Sequence, residues 1–127
     1  MRQNELMFGD WVKLSKGNWS KNRQVGLTDI EMIAESVYLA EPIPLTEEIL
    51  LKNRMRVFEH RNPWQEAKNL IKKWYSKDGK FYVSYYRVGD MSTYTVGNGV
   101  SRICSIMYVH ELQHALRMLK IEREIEL

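Results

Sequence analysis

The feature that most constrains the fold of this chain is a run of strand-like segments between residues 81 and 104. Over residues 81–88, one set of side chains alternates with a second, aromatic-rich set, which is the two-residue period of a β-strand. Residues 91–96 and 100–104 have the composition of two further strands, and Gly97-Asn98-Gly99 between them is typical of a tight turn. These segments predict an antiparallel β-meander.

The clearest helix pattern of the sequence covers residues 105–119. Apolar residues recur there every three or four positions, as on one face of an amphipathic helix. They are Tyr108, Val109, Leu112, Ala115, Leu116 and Leu119. Residues 122–127 alternate glutamate with arginine, isoleucine and leucine, which predicts an edge strand after the helix.

The first 40 residues have a β-rich composition. Residues 6–14 predict a turn entering a strand, and Lys16-Gly17-Asn18 is a turn signal. Residues 23–33 and 36–40 predict two or three further short strands. Residues 1–40 therefore predict a small β-sheet or SH3-like half-barrel, which is too small to be stable alone.

The middle of the sequence predicts an extended connector and two helices. Two prolines keep residues 41–45 extended, and Thr46 can then cap a short helix over 47–53. A second helix begins at Pro63 and ends before the turn signal of residues 77–80. Its apolar stripe consists of Trp64, Ala67, Leu70, Ile71 and Trp74.

These segments predict a mixed α+β protein. With 127 residues, the chain has the length of one domain. Within that domain, residues 1–40 form the β-rich part, 41–80 the connector and short helices, and 81–127 the antiparallel meander with the C-terminal helix.

Composition indicates a cytoplasmic location. The single cysteine, Cys104, cannot form a disulfide within the chain, which fits a reducing compartment. Residues 1–5 have none of the apolar character of a signal peptide. No apolar run approaches the roughly 18–20 residues of a membrane span, so we expect no membrane partner.

One motif with possible chemistry lies in the predicted C-terminal helix. His110-Glu111-Leu112-Gln113-His114 matches H-E-x-x-H, in which two imidazoles one helical turn apart bind zinc and the glutamate acts as general base. A metzincin would also need glycine at position 117 and histidine at position 120, where this chain has arginine and lysine. No third zinc ligand is evident.

The helical pattern also places His110 and His114 opposite the apolar face of the helix. Both imidazoles are therefore expected to point toward water, with nothing to coordinate. We expect no cofactor and no catalytic residue here. The alternative is a zinc-dependent hydrolase in which the two histidines bind the metal and Glu111 is the base.

A second candidate site is the basic middle of the chain. Residues 50–80 carry nine basic and three acidic side chains. Basic groups interleaved with aromatic residues suit single-stranded nucleic acid, whereas the same pattern also fits a helix with a core of Trp64 and Trp74. The candidate contacts are Arg54, Arg56, Arg61, Lys68, Lys72 and Lys73.

A cluster of tyrosines lies on the predicted meander. On an uncovered sheet face it predicts a protein-interaction surface, and on a covered face it predicts contact with a helix. The cluster consists of Tyr82, Tyr85, Tyr86 and Tyr94.

Three stretches together resemble a family of short bacterial and prophage-encoded proteins of unknown function. They are Gly9-Asp10-Trp11-Val12, the connector with Pro42-Ile43-Pro44-Leu45-Thr46, and the helix with His110-Glu111-Leu112-Gln113. The resemblance implies a small cytoplasmic α+β protein carried on a mobile element, and it implies no activity. The resembling sequences often have glycine where this chain has Lys120, as at a helix C-cap.

From these observations we expect a non-enzymatic accessory or interaction protein, prophage-like in origin, with a protein partner of unknown identity. The zinc-dependent hydrolase and a nucleic-acid-binding protein that uses residues 52–80 are the alternatives.

Overall fold

The computed structural model describes residues 6–57, 70–98 and 102–127. The elements, in chain order, are β1 (Trp11–Lys16), β2 (Trp19–Gln24), α1 (Leu27–Ala34), β3 (Leu39–Pro42), α2 (Glu47–Lys52), β4 (Arg56–Val57), β5 (Leu70–Tyr75), β6 (Tyr82–Val88), β7 (Met91–Gly97), β8 (Arg102–Ile106) and α3 (Val109–Met118). The predicted α+β class is confirmed. No helix of the described residues is both long and apolar enough to cross a membrane.

The chain divides into two compact units. The first consists of Met1–Pro44 and Tyr108–Gln113, and the second of Leu45–Met107 and His114–Leu127. Helix α3 therefore begins in the first unit and ends in the second. That the whole chain is one domain stays a prediction.

The first unit contains a three-stranded antiparallel sheet in the order β2-β1-β3. Val12 and Leu14 alternate with exposed or half-buried neighbours along β1, and both are completely buried. Val25 and Ile33 belong to the same apolar core. The predicted β-rich start of the chain is confirmed, while the finer comparison with an SH3-like half-barrel stays a prediction.

The prediction of strands over residues 23–33 is wrong beyond residue 24, because Leu27–Ala34 form α1. Asp29 explains the helix start: its Oδ2 accepts a hydrogen bond from the backbone N–H of Gly26 at 3.0 Å, as the third residue of a capping box does. Ile33 then lies one helical turn after Ile30 and is buried in the core.

The second unit contains a five-stranded antiparallel sheet in the order β4-β5-β6-β7-β8. Its last three strands are the predicted meander, which is confirmed, although residues 99–101 of the predicted turn and third strand lie outside the described residues. One sheet face carries the core: Trp74, Val83 and Val96 are buried and occupy neighbouring positions across β5, β6 and β7.

The predicted second helix is wrong at its C-terminal end, because residues 70–75 form strand β5. Long-range pairing decides between the two structures: Trp74 lies opposite Val83 in β6. The turn between these strands is fixed by Ser76, whose Oγ accepts a hydrogen bond from the backbone N–H of Phe81 at 3.2 Å. The beginning of the predicted helix, including Trp64, lies outside the described residues.

The other two predicted helices are present with shifted ends. Thr46 caps α2, as predicted, by accepting a hydrogen bond from the Ile49 N–H at 3.4 Å. Helix α3 begins later than predicted, because β8 extends to Ile106. The predicted edge strand over 122–127 is wrong. That segment is held instead by Asn53, whose side chain both donates to the Glu126 carbonyl and accepts from its N–H, each at 2.7 Å.

Helices α1, α2 and α3 each end in a Schellman motif, in which the residue after the C-cap adopts a left-handed conformation. The residues with positive φ are Ser36 (61°), Arg54 (63°) and Lys120 (58°). At α3, the N–H of Lys120 binds the Arg117 carbonyl at 3.0 Å and the N–H of Ile121 binds the Leu116 carbonyl at 2.9 Å. Lys120 thus occupies the conformation that a C-cap glycine adopts at lower cost.

Candidate functional site

The start of α3 is held by backbone contacts with the proline-containing connector. Within the first unit, the N–H of Val109 donates to the carbonyl of Ile43 at 2.9 Å. Pro44 and Tyr108 form an isolated antiparallel bridge beside it. The connector therefore fixes the position at which the helix begins.

Gln113 of the His-Glu-Leu-Gln stretch binds the turn that precedes β1. Its Oε1 accepts a hydrogen bond from the Trp11 N–H at 2.8 Å, and its Nε2 donates to the Gly9 carbonyl at 3.0 Å. Asp10, in the same turn, is completely buried, and its Oδ2 accepts from the Met7 N–H at 2.8 Å. Sequence reasoning did not assign Gln113 a role, because its partners lie about a hundred residues away.

Glu111 binds the backbone at the start of its own helix. Its Oε1 accepts a hydrogen bond from the Tyr108 N–H at 3.1 Å, which is the glutamate half of a capping box. The three stretches that carry the family resemblance therefore meet through Gln113, Val109 and their partners in the first unit.

The expectation that both motif histidines point toward water is wrong for His110. This side chain is only 8% exposed, and its ring stacks on Tyr108 with the centroids 5.9 Å apart and the planes 12° from parallel. His114 is half-buried. The helical pattern gave the wrong exposure because the buried surface of α3 is wider than its apolar face and includes Gln113 and His110.

Within residues 6–57, 70–98 and 102–127, no three histidine, cysteine, aspartate or glutamate side chains form a group that could hold a metal ion. His60, the remaining histidine of the sequence, lies outside those ranges. The zinc site of His110, His114 and Glu111 stays a prediction.

The basic candidates are divided by the sheet. Arg54 and Arg56 are exposed, at the end of α2 and in β4, whereas Arg61 and Lys68 lie outside the described residues. Lys72 and Lys73 are consecutive in β5 and therefore face opposite sides of the sheet. The sequence had grouped these two lysines as contacts of one candidate site.

Lys72 is neutralised on the core face. Its Nζ forms a salt bridge with Oε2 of Glu47 and lies 5.8 Å from the centroid of the Trp74 ring. The indole Nε1 of Trp74 also donates to Glu47, at 3.1 Å. The hydrogen bond from Lys72 lowers the pKa of the Glu47 carboxyl, and the bond from Trp74 acts in the same direction.

The opposite face, which we call the tyrosine face, carries a cation among aromatic rings. Its members are Arg56, Lys73, Tyr75, Tyr82 and Tyr86, placed on one side by strand register. The Lys73 Nζ lies 4.3 Å from the Tyr82 ring centroid and 5.3 Å from that of Tyr75, and the two rings are 5.7 Å apart. All three side chains are half-buried.

The predicted tyrosine cluster is split between the two faces. Tyr82 and Tyr86 belong to the tyrosine face, while Tyr85 and Tyr94 lie on the core face with their ring centroids 5.0 Å apart. Burial raises the pKa of Tyr94. The alternation that separates Tyr85 from its neighbours is the one predicted from the sequence.

Two buried hydroxyl groups lie at the centre of the tyrosine face. Ser84 and Thr95 are opposite each other in β6 and β7, and they are 1% and 3% exposed. Within the part of the chain that the structure describes, Ser84 Oγ and Thr95 Oγ1 have no hydrogen-bond partner. Burying such groups unsatisfied costs stability.

The fold and this site define a small α+β protein with a polar, aromatic face on an antiparallel sheet. Comparisons with protein-family models, curated proteins and solved structures find no match. The family resemblance of the three stretches therefore stays a prediction.

Proposed function

We propose that this protein is a non-enzymatic accessory protein that binds single-stranded nucleic acid through the tyrosine face. The observation that carries the proposal is the position of the Lys73 ammonium group over the two adjacent rings of Tyr75 and Tyr82. Proteins that bind single strands combine basic groups, which attract the phosphates, with aromatic rings on which bases stack.

A single strand suits this face better than a duplex. The rings of Tyr75 and Tyr82 project from a sheet, where unpaired bases can stack, whereas the stacked bases of a duplex are inaccessible to them. Each base stacked on an aromatic side chain contributes about 1–3 kcal/mol. Lys73 and the exposed Arg56 supply positive charge on the same side.

The two buried hydroxyl groups are not part of the surface that a strand would contact. Ser84 and Thr95 are 1% and 3% exposed, whereas Lys73, Tyr75 and Tyr82 are half-buried and Arg56 is exposed. A bound strand would therefore contact the rings and the basic groups of the face.

The geometry of α3 supports the non-enzymatic part of the proposal. The carboxylate of Glu111 and the amide of Gln113 both bind the backbone. We therefore assign these residues to the structure and not to a reaction. The proposal includes a location in the cytoplasm, which the single Cys104 of the sequence favours.

The test is a titration followed by fluorescence anisotropy, with labelled single-stranded DNA, single-stranded RNA and duplex DNA of mixed sequence. We expect a single strand to bind more tightly than the duplex and to lose affinity as salt rises from about 50 to about 200 mM, because phosphate contacts release counterions. Tyr82→Leu should weaken binding by about 5-fold to 100-fold, equivalent to about 1–3 kcal/mol of stacking.

The neighbouring lysines provide a matched control. Lys73→Gln should weaken binding and reduce the salt slope by about 0.7, the value for one phosphate contact on a single strand. Lys72→Gln removes the same charge from the opposite face and should change neither. Equal effects of the two substitutions, a preference for duplex, or binding of none of the three nucleic acids would each refute the proposal.

A further inference from the structure

The second unit contains an open cleft of about 650 Å³ beside the turn between β5 and β6. This volume is within the range of about 300–1,000 Å³ that is usual for small-ligand sites. Five cations and four carboxylates line the cleft: Lys52, Arg54, Lys77, Lys80 and Arg123, with Asp78, Glu122, Glu124 and Glu126.

Two of the five cations donate hydrogen bonds to backbone carbonyls. Lys52 donates to the carbonyl of Leu127, and the guanidinium of Arg123 donates to the carbonyl of Asn53. Arg54, Lys77 and Lys80 form another group, which we call the cationic side.

The three residues of the cationic side are exposed. None of them forms a salt bridge with another described residue. Asp78 lies among them, and hydrogen bonds from the Ser76 hydroxyl and the Lys80 N–H lower the pKa of its carboxyl. The cationic side keeps a net positive charge.

A second part of the cleft lining, which we call the acidic wall, consists of Glu122, Glu124 and Glu126. These side chains are exposed, and they lie on the segment whose backbone Asn53 holds at Glu126. The cationic side therefore attracts a phosphate in the cleft, and the acidic wall repels it.

The cationic side continues the tyrosine face along the chain. Lys77 is two residues after Tyr75, and Lys80 is two residues before Tyr82. Arg54 is likewise two residues before Arg56. Two residues span at most about 7 Å between Cα atoms, which is within reach of a phosphate next to a stacked base.

We infer that the cleft binds the terminal phosphate of a nucleic acid strand whose bases lie on the tyrosine face. This inference rests on the proposed function. A terminal phosphate carries a charge of about −1.5 to −2, against −1 for an internal phosphodiester, so it gains more from the three cations. The acidic wall disfavours any further phosphates, and the strand therefore ends in the cleft.

The test compares three single-stranded oligonucleotides of one sequence, with a 5′-phosphate, with a 3′-phosphate, or with neither. We expect one phosphorylated end to raise affinity by about tenfold over the unphosphorylated strand, equivalent to about 1.4 kcal/mol. The double variant Lys77→Gln/Lys80→Gln should lose this preference and bind all three strands with similar affinity. Lys21→Gln, an exposed lysine of β2 in the first unit, is the control and should keep the preference.

A second variant tests the acidic wall. Glu122→Gln/Glu124→Gln should strengthen the binding of all three strands, and most strongly that of the strand with the preferred terminal phosphate, because it removes carboxylates that repel phosphate. Equal affinity for the three oligonucleotides, with Tyr82→Leu still weakening all of them, would overturn the inference and leave the proposed function standing. Absence of binding to all three would overturn the proposed function itself.

Discussion

Replacing Gln113 provides the most direct test of the structural role assigned to the His-Glu-Leu-Gln stretch. Gln113→Met keeps the length and helix propensity of the side chain and removes both hydrogen bonds to the turn before β1. Each bond contributes about 0.5–1.5 kcal/mol, and an unsatisfied buried partner costs about 1–3 kcal/mol more. Because the Trp11 N–H is only partly buried and the Gly9 carbonyl still accepts a hydrogen bond from Gln24 Nε2 at 3.3 Å, we expect a total loss of about 2–4 kcal/mol.

The assay is equilibrium unfolding in urea, with the transition followed by circular dichroism. A loss of this size is a large part of the roughly 6–19 kcal/mol expected for 127 residues, so the midpoint should fall clearly with little change in slope. Met118→Gln, at a position of α3 that is 72% exposed, is the control and should stay within about 0.5 kcal/mol of the unmodified protein.

Gln113→Glu separates the two hydrogen bonds. The carboxylate can still accept from the Trp11 N–H, but it cannot donate to the Gly9 carbonyl and it places two acceptors against each other. We expect this variant to be destabilised at pH 7 and to recover stability at acidic pH, where a protonated carboxyl can donate. If Gln113→Met unfolds within about 0.5 kcal/mol of the unmodified protein, the structural reading of the motif is wrong.

Three further predictions concern stability. Lys120→Gly should raise the free energy of unfolding by about 1 kcal/mol and the melting temperature by about 3–5 °C, because glycine adopts positive φ without strain; Lys120→Ala keeps the Cβ and should give no such gain in calorimetry. Thr95→Val should stabilise the protein by about 1 kcal/mol in urea unfolding by removing an unsatisfied hydroxyl, and a loss of stability would show that this hydroxyl is bonded. The pKa of the Glu47 carboxyl is lower in the folded protein than its ordinary value of 4.5, so its ionised form contributes stability above pH 4.5, and this contribution is lost as the pH falls through the folded pKa. Glu47→Gln should therefore reduce the difference in the free energy of unfolding between pH 3 and pH 6, measured in urea. An unchanged difference would contradict this prediction.

Local signals predicted those elements whose determinants are close in sequence. Thr46 and the prolines before it define the start of α2, and the alternation around Tyr85 defines β6. Lys120 marks the end of α3 through a backbone conformation that the resembling sequences satisfy with glycine. In each case the residues that determine the structure lie within a few positions of the element.

The wrong predictions concern elements that depend on distant partners. Leu70, Ile71 and Trp74 fit the period of a helix, and the pairing of β5 with its neighbours β4 and β6 makes them a strand. His110 was expected to point toward water because the pattern of one helix contains no information about what packs around that helix, and the structure buries its ring in a stack on Tyr108. The candidate site was wrong for the same reason. The sequence grouped Lys72 with Lys73, and the sheet places them on opposite faces because they are consecutive in β5.

Stability and the proposed binding depend on different residues, and this division can be tested as a whole. Gln113 of α3 connects distant parts of the first unit through its hydrogen bonds to Trp11 and Gly9. The prolines before α2 and the start of α3 are connected in the same unit through Ile43 and Val109. The tyrosine face is formed by other residues, among them Lys73 and Tyr82. Variants of Gln113 should therefore lower the unfolding midpoint while the folded protein still binds single strands with unchanged affinity.

Tyr82→Leu should weaken the binding of single strands and leave the unfolding midpoint nearly unchanged, because a half-buried ring contributes little to the core but much to base stacking. If folded Gln113 variants lost affinity, or if Tyr82→Leu left the affinity unchanged, the tyrosine face alone would not account for binding.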